Sequence, residues 1–288
     1  MKRKILLIGA NGQLGSDLKK ALSHHQLLCP SHQQLDITQF AKTKKYIKEK
    51  SPDLIIDTAA FHQIDECEKN PRKTFLVNTL AVKNLAEVAK KMDIPLVYIS
   101  SDYVFGLDQR KKIPYLEKDL PGPVNIYGIS KVASEYIIRY ILKKYFIVRT
   151  QALFGETPPR GKKENFVGVM LRLAKEGKEI RVKDDEFTSP TYTKELAGAI
   201  SDLIQTEEYG LYHIASQGGC SWYEFAKEIF KQTHKKANLK RASSLEFPGI
   251  AQRPRYSVLE NKHLREIGLD KMSHWQKALK KYLKQIII

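Results

Sequence analysis

The chain lacks the features of several protein classes. It has only three cysteines among 288 residues, Cys29, Cys67 and Cys220, and no two of them share a Cys-x-x-Cys spacing. An odd, scattered set is more often reduced than a disulfide framework, which argues against a small secreted module. The sequence also shows no internal repeat and no low-complexity tract, which excludes a repeat protein or a disordered chain.

Long apolar runs are absent as well. The first apolar run, residues 5–8, ends at Gly9 after four residues, whereas a membrane helix needs about 20. That run is also too short for a signal-peptide core, so we expect a cytoplasmic protein with no membrane partner. With 42% hydrophobic and 28% charged residues, a chain of this length can form one large α/β domain or two coupled ones.

Positive charge is in excess, but it is not concentrated. The net charge is +17, of which residues 1–150 carry +10 and residues 151–288 carry +7. Lysine-rich runs such as residues 42–50 fall on helix-like stretches, where a solvated surface is the simpler interpretation. A nucleic-acid partner therefore has only the net charge in its favour, and we expect none. A general attraction for anionic small molecules remains compatible with the charge.

The first half alternates short apolar runs with amphipathic stretches, as a parallel sheet with crossover helices does. The pattern predicts strands at Lys4–Ile8, Gln26–Cys29, Leu54–Asp57, Leu96–Ser100 and Phe146–Arg149. It predicts helices at about 13–23, 39–50, 71–92 and 125–144. The expected fold class is therefore α/β, a Rossmann-like doubly wound parallel sheet with helices on both faces.

The alternation loosens after Arg149, and a Pro- and Gly-containing loop at residues 157–161 marks a second region. There we predict a helix at about 164–176, a strand at 210–214, a helix after the N-cap Ser221, and a last helix at about 273–285. We expect residues 1–150 to form the Rossmann domain. Residues 151–288 should form mainly a smaller α/β substrate-binding portion, with some segments returning to the first domain.

A glycine-rich turn, Gly-Ala-Asn-Gly-Gln-Leu-Gly at residues 9–15, directly follows the first strand. Glycine permits a tight turn and a close approach to a pyrophosphate, and the helix that follows offers unpaired N–H groups. This position favours a dinucleotide site over a purely structural turn.

Residues 29–32 at the end of the second strand have no carboxylate to repel a 2′-phosphate, so we predict NADPH, with NADH as the alternative. Asp36 could then face the adenine or cap the next helix.

Three residue types suited to proton transfer follow. Ser101 comes at the end of the fourth strand, and Tyr127 and Lys131 stand four residues apart on a predicted helix, so that they share one face. A nearby ammonium favours phenolate, so we expect Lys131 to draw the pKa of Tyr127 downward, toward the range of a general acid or base. Tyr-x-x-x-Lys alone is common by chance, but after a Rossmann turn and a serine-bearing strand end it indicates catalysis.

With these motifs the sequence resembles the extended short-chain dehydrogenase/reductase family, and within it the nucleotide-sugar reductase branch that acts on dTDP-4-dehydrorhamnose. The resemblance covers nearly the whole chain. Its motifs lie at residues 9–15, 35–38, 59–60, 98–105, 125–131, 146–150, 189–191, 221–225 and 253–257. It implies reduction of the 4-keto group of a nucleotide-linked 6-deoxy sugar by NADPH or NADH, in the biosynthesis of dTDP-rhamnose and cell-surface polysaccharide.

The resemblance also implies individual roles. Tyr127 would protonate the carbonyl oxygen, Lys131 would tune Tyr127 and bind the nicotinamide ribose, and Ser101 would hydrogen-bond the reacting oxygen. The residues implied to bind the cofactor are Gly9, Gly12, Gln13, Leu14, Gly15, Asp36, Ile37, Ala59, Ala60, Phe61, Tyr127 and Lys131. The residues implied to bind the substrate are Ser101, Asp102, Ala152 and Arg253, and Arg253 would hold the diphosphate unless it forms a surface salt bridge.

The chain departs from the family pattern near the sugar. Family members usually carry Trp where this chain has Ala152, and Thr where it has His62. The exact sugar is therefore open, and the alternatives are a reductase of a different dTDP-4-keto sugar or a non-catalytic nucleotide-binding regulatory subunit. An epimerase or dehydratase is disfavoured because Tyr103 follows Asp102 where dehydratases typically have Glu.

Metal binding is not expected. Some relatives dimerise through magnesium, and of the positions that match its ligands here Asp17 keeps a carboxylate whereas Lys194 places a cation. The eight histidines show no ligand spacing. We expect no metal, a nucleotide-diphosphate sugar as the partner, and a monomer or homodimer.

Overall fold

The computed structural model describes residues 2–159, 161–247 and 249–286. The strands are β1 Lys4–Ile8, β2 Gln26–Leu28, β3 Leu54–Asp57, β4 Leu96–Ser101, β5 Tyr145–Thr150, β6 Leu153–Phe154, β7 Glu179–Lys183, β8 Phe187–Thr188, β9 Thr191–Tyr192, β10 Gly210–His213, β11 Cys220–Ser221 and β12 Asn238–Ala242. The helices are α1 Gln13–Ala21, α2 Phe40–Lys50, α3 Ile64–Lys69, α4 Pro71–Phe75, α5 Ala81–Met92, α6 Ile126–Ile141, α7 Phe166–Lys175, α8 Thr193–Leu203, α9 Trp222–Thr233, α10 Lys262–Glu266 and α11 Trp275–Ile286. Arg160, inside the predicted loop at 157–161, lies outside the described residues.

Six parallel strands form the central sheet, in the order β2-β1-β3-β4-β5-β10. Its inner strands are short apolar runs, such as Leu54–Asp57, in which every residue is buried. Such runs are typical of a sheet covered on both faces. One face packs on α1 and α8, and the other on α2, α5 and α6. The predicted doubly wound α/β fold is confirmed.

The strand order reverses between β1 and β3, because β1 has β2 on one side and β3 on the other. In open α/β sheets a ligand binds outside the carboxyl ends of the strands at such a reversal. The glycine turn follows β1 and Asp57 ends β3, so both lie at this crevice. The topology alone therefore locates the candidate site.

The second half of the chain builds a smaller core and also returns to the sheet. The smaller core lies among α7, α9 and α11, with β7 pairing in parallel with β12. The strand β10 adds to the edge of the central sheet beside β5. The helix α8, which the sequence analysis did not predict, packs against α1 through Leu196 and Ile200.

The predicted helix at 71–92 is not regular. A π-helical turn, Leu76–Leu80, separates α4 from α5, and such turns are frequent at functional sites. It turns Asn78 and Thr79 inward, where both are buried. Elsewhere the predicted helices and strands form with small shifts at their ends. No helix in the described part of the chain is long and apolar enough to cross a membrane.

Candidate active site

The glycine turn after β1 leaves room for a ligand only because it has no side chains at its closest points. Gly9 has a φ of +79°, and a Cβ atom there would lie 2.4 Å from Thr58 Oγ1. A Cβ atom at Gly15 would lie 2.2 Å from the carbonyl oxygen of Gly9, so α1 could not pack on the turn. Gly12 caps α1 in an extended conformation with no side-chain hydrogen bond, which leaves the first N–H groups of the helix for an anion. The turn thus fits a dinucleotide pyrophosphate.

Leu14 and Gln13, which belong to the same glycine-rich turn, do not both face a ligand with their side chains. The side chain of Leu14 is 4% exposed and packs in the core, so only its backbone can face a ligand. Gln13 donates a hydrogen bond from Nε2 to the carbonyl oxygen of Leu153, at 3.2 Å. This bond joins the start of α1 to the segment after β5.

Asp36 stabilises a turn before α2. Its Oδ1 accepts hydrogen bonds from the backbone N–H and the hydroxyl of Thr38, at 3.0 and 2.7 Å. Burial alone would raise the pKa of Asp36, but these bonds lower it. The next residue, Ile37, is 5% exposed and packs in the core. Asp36 therefore does not cap α2, whose N-cap is Gln39 with no side-chain hydrogen bond; its contact with the adenine stays a prediction.

The loop after β3 is fixed from two sides. Asp57 accepts a hydrogen bond from the backbone N–H of Ala59, at 3.0 Å. Asn78, on the π turn, accepts from the N–H of Phe61 at 2.8 Å and donates to its carbonyl oxygen at 3.0 Å. Asn78 also donates to the hydroxyl of Ser130 on α6, at 3.1 Å. Residues 59–61, including Ala60, thus form one rigid rim with the helix that carries Tyr127 and Lys131.

The strand β4 and the helix α6 bring Ser101, Tyr127 and Lys131 together. Asn125 caps α6 by accepting a hydrogen bond at Oδ1 from the N–H of Gly128, at 2.8 Å. Gly128 packs against the short 3₁₀ turn after β4, where a Cβ atom would lie 2.1 Å from the carbonyl oxygen of Tyr103. This contact brings the rings of Tyr103 and Tyr127 to a centroid distance of 5.9 Å, edge to face.

The predicted lowering of the pKa of Tyr127 by Lys131 is wrong for this structure. Burial raises the pKa of Tyr127, and only hydrogen bonding with Ser101 opposes it. Lys131 Nζ instead donates to the carbonyl oxygen of Ile99 at 2.7 Å and lies 4.1 Å from the ring centroid of Tyr98. Tyr127 is therefore a protonated phenol at neutral pH, which suits a proton donor.

Asp102 lies beneath Ser101 and is 4% exposed. It accepts hydrogen bonds from the hydroxyl of Ser101 at Oδ1, 3.0 Å, and from Ser257 at Oδ2, 2.6 Å. Burial raises the pKa of Asp102 to about 6, against the effect of these two bonds. Ser257 was quoted in a sequence motif but was not predicted as a site residue. Its partner is 155 positions away in the chain, so no local pattern indicated the contact.

The segment that carries Ser257 also carries Arg253. Arg253 pairs with Asp65 at 2.8 Å and donates to the carbonyl oxygen of Ala251 at 3.2 Å, so the predicted alternative, a salt bridge, is present. Arg253 also lines a cavity of about 280 Å³ together with Lys183 and Arg255. The carboxylate of Glu186 lines the same cavity and pairs with Lys183 at 2.6 Å. The remaining positive charge suits a diphosphate, because guanidinium groups bind phosphate oxygens in pairs.

The start of α6 is tied to this segment. Asn125 Nδ2 donates to the carbonyl oxygen of Gln252, at 2.8 Å. The residue that caps the helix bearing Tyr127 therefore also holds the chain next to Arg253. The cap of the helix that bears Tyr127 and the segment that bears Arg253 are thus held together by one side chain.

Comparison with known proteins identifies the family. The model for the RmlD substrate binding domain matches residues 3–288. The spore coat polysaccharide biosynthesis protein SpsK of Bacillus subtilis is 34% identical over 284 residues, which cover 98% of this chain and 97% of that protein. The dTDP-4-dehydrorhamnose reductase of Mycolicibacterium smegmatis is 33% identical over 97% of this chain and 84% of that protein.

The chain belongs to the dTDP-4-dehydrorhamnose reductase (RmlD) family.

Solved structures agree with this family. A dTDP-4-dehydrorhamnose reductase from Bacillus anthracis in complex with NADP has a TM-score of 0.93 and 38% identity, and the match covers 99% of this chain and 100% of that one. An ortholog from Clostridium acetobutylicum also has a TM-score of 0.93, with 36% identity and the same coverage. The UDP-glucose 4-epimerase of Thermus thermophilus, at 16% identity and a TM-score of 0.82, shares the fold.

The segment directly after β5 has an unusual backbone conformation. Ala152 has a φ of +42°, a left-handed conformation that is uncommon for alanine and that clusters at functional sites. Before it, Gln151 is 1% exposed, and its Oε1 accepts a hydrogen bond from Thr188 at 3.0 Å. Ala152 is the position at which the sequence analysis expects the chain to depart from its family, so the substrate-binding role predicted for it stays a prediction.

The carboxylate of Asp17 is already engaged by neighbouring side chains of the same chain. Asp17 accepts a hydrogen bond from the hydroxyl of Thr193 at 2.6 Å and lies 3.6 Å from Lys20. Across the ranges that the structure describes, no group of three or more His, Cys, Asp or Glu residues could hold a metal ion.

Proposed function

We propose that this protein uses NADPH to reduce the 4-keto group of a dTDP-linked 6-deoxy sugar, converting dTDP-4-dehydro-L-rhamnose to dTDP-L-rhamnose. The observation that carries the proposal is the Ser101, Tyr127 and Lys131 cluster at the carboxyl edge of a sheet whose first turn fits a dinucleotide. Supporting it, relatives of at least 30% identity over most of the chain are named dTDP-4-dehydrorhamnose reductases, and one related structure holds NADP.

NADPH, when bound, supplies the hydride. In our proposal the backbone of residues 9–15 binds its pyrophosphate, residues 36–37 lie near the adenine, and residues 59–61 line its length. Lys131 binds the nicotinamide ribose. Tyr127 donates its phenolic proton to the oxygen at C4, and its raised pKa keeps that proton in place until the oxygen becomes basic. Ser101 turns its hydroxyl from Asp102 toward the same oxygen and so fixes the position of the carbonyl.

The substrate side is assigned in the same proposal. Residues 1–150 bind NADPH and residues 151–288 mainly bind the sugar nucleotide. Arg253, with Lys183 and Arg255, holds the diphosphate, and Asp102 and Ala152 border the sugar. The conformation and small size of Ala152 favour one specific alternative, a different dTDP-4-keto sugar with a bulkier substituent at this wall. We place the protein in the cytoplasm, where NADPH and free thiols are maintained. We also propose that it is a monomer or a homodimer.

A panel of nucleotide 4-keto sugars, each assayed with NADPH and NADH in parallel, tests the proposal. We expect loss of the reduced-nicotinamide absorbance with dTDP-4-dehydrorhamnose and a preference for NADPH. Tyr127→Phe should lose most turnover while keeping its affinity for NADPH, since the phenyl ring preserves the packing on Tyr103. NADPH binding without turnover of any sugar would instead identify a regulatory subunit.

A further inference from the structure

The helix α6 and the strands beside it enclose four titratable side chains below the proposed nicotinamide site. They are Asp57, Tyr98, Lys131 and Glu135, and none is more than 3% exposed. Two further buried groups, Arg149 and His213, lie next to them at 2% and 0% exposure. The charges in this cluster must balance, because an unpaired ion in a protein interior is very unfavourable.

One negative charge of the cluster is already neutralised. Arg149 donates to both carboxylate oxygens of Glu135, from Nε at 2.9 Å and from Nη2 at 2.6 Å. Ser100 also donates to Glu135, at 2.5 Å. His213 is neutral, since burial first and Arg149 second lower its pKa to about 3. The negative charge of Glu135 is therefore balanced by Arg149.

Lys131 and Asp57 are then the charged groups of the cluster that remain, and both lie beside Tyr98. Lys131 donates to a carbonyl oxygen, that of Ile99, and within the described ranges it makes no direct ion pair. Asp57 uses Oδ1 for the N–H of Ala59, while its Oδ2 is buried without a hydrogen-bond partner. Tyr98 pairs with Asp57 in the sheet register, and its ring lies against the ammonium of Lys131. Asp57 is thus the remaining source of negative charge.

We propose that Asp57 is a positioning residue for the reaction: its carboxylate keeps Lys131 protonated in the buried site and so preserves the ammonium that binds the cofactor ribose. The proposal rests on the reductase function proposed above. The electrostatic surroundings of Lys131 agree with it. Burial lowers the pKa of Lys131, and Asp57 is the largest influence that raises it again, followed by Glu135.

The test is the pH dependence of NADPH affinity, measured by nicotinamide fluorescence without sugar. Asp57→Asn keeps the acceptor for Ala59 but removes the charge. We expect its NADPH affinity to be within about threefold of wild type at pH 6 and at least tenfold weaker at pH 7.5, because Lys131 deprotonates earlier and one pKa unit corresponds to a factor of ten. Lowering the pH from 7.5 to 6 should likewise bring the kcat/KM of Asp57→Asn back toward the wild-type value.

Asp17→Asn is the matched control, since Asp17 is equally buried and accepts a hydrogen bond but does not face Lys131. Its affinity relative to wild type should be the same at both pH values. A loss in Asp57→Asn that is equal at both pH values, or no loss, overturns the proposal. If the variant does not fold, wild type decides with NADH, which has no 2′-phosphate that titrates near pH 6. Its affinity for wild type should be constant from pH 6 to 7.5, and a tenfold fall over that range contradicts the proposal that Asp57 keeps Lys131 protonated. Wild type that binds no NADPH would refute the proposed function itself.

Discussion

Gly128 faces Tyr103 so closely that a Cβ atom on Gly128 would lie 2.1 Å from the carbonyl oxygen of Tyr103. A backbone oxygen cannot move aside as a flexible side chain can. The first turn of α6 can therefore approach the end of β4 only with glycine at this position, and this approach puts Tyr127 beside Ser101.

Gly128→Ala should consequently separate Tyr127 from Ser101. We expect kcat to fall at least about a hundredfold, as misplacement of a catalytic group by about 1 Å can cause, together with a loss of stability of about 1–3 kcal/mol from overpacking. The control is Gly198→Ala in α8, where a Cβ atom would meet nothing within 4 Å and where alanine should stabilise by roughly 0.5–1 kcal/mol. Equal activity in both variants would contradict the argument.

Asp102 should make stability depend on pH. Because burial raises its pKa to about 6, the folded protein keeps a proton that the unfolded chain releases near pH 4. Stability contributed by this group therefore falls as pH rises from about 4 to about 6 and is constant above. In urea unfolding, Asp102→Asn should gain roughly 3 kcal/mol relative to wild type between pH 4 and 7. A difference that does not change with pH would show that Asp102 ionises normally.

Arg253 should affect the sugar nucleotide and not the cofactor. Arg253→Ala removes one of three cations around the cavity, and we expect KM for the dTDP-sugar to rise about 10- to 100-fold, as for loss of a charge-assisted bond of roughly 1.5–3 kcal/mol. KM for NADPH should change less than threefold. Arg241→Ala is the comparison, since Arg241 is 69% exposed and pairs with Asp184. Parallel changes in both KM values would assign Arg253 a purely structural role with Asp65.

The buried pair between Glu135 and Arg149 should be a main support of α6. Glu135→Gln leaves the guanidinium of Arg149 buried without its counter-ion, so we expect a loss of about 3–5 kcal/mol in the free energy of unfolding. Glu49→Gln, which removes an exposed helical pair with Lys45, should cost no more than about 0.5 kcal/mol. Unfolding in urea measures both, and similar small losses would mean that Arg149 finds another partner.

The local parts of the site were predictable from the sequence. The glycine turn, the serine at the strand end and the Tyr127 and Lys131 spacing each depend on residues close together in the chain. The alternation of apolar runs and amphipathic stretches likewise predicted the five leading strands of the central sheet. Because such patterns are local, they can be recognised in the sequence without knowledge of the tertiary structure.

Features that depend on distant contacts were missed. The hydrogen bond between Asp102 and Ser257 spans 155 positions, and β7 finds its partner β12 about 60 residues later. The π turn at residues 76–80 lies inside a continuous helical stretch, which the sequence analysis predicted as one regular helix. The helix α8 does carry apolar residues at helical spacing, Leu196, Ile200 and Leu203, and closer attention to that spacing would have found it.

The most direct test of the account follows the hydride itself. NADPH with deuterium at both C4 positions of the nicotinamide would be incubated with the protein and dTDP-4-dehydrorhamnose, and the product examined by NMR and mass spectrometry. The account predicts dTDP-rhamnose with one deuterium, located at C4 of the sugar, and one equivalent of NADP⁺. A sugar product without deuterium at C4, or an unchanged substrate beside bound NADPH, would contradict it.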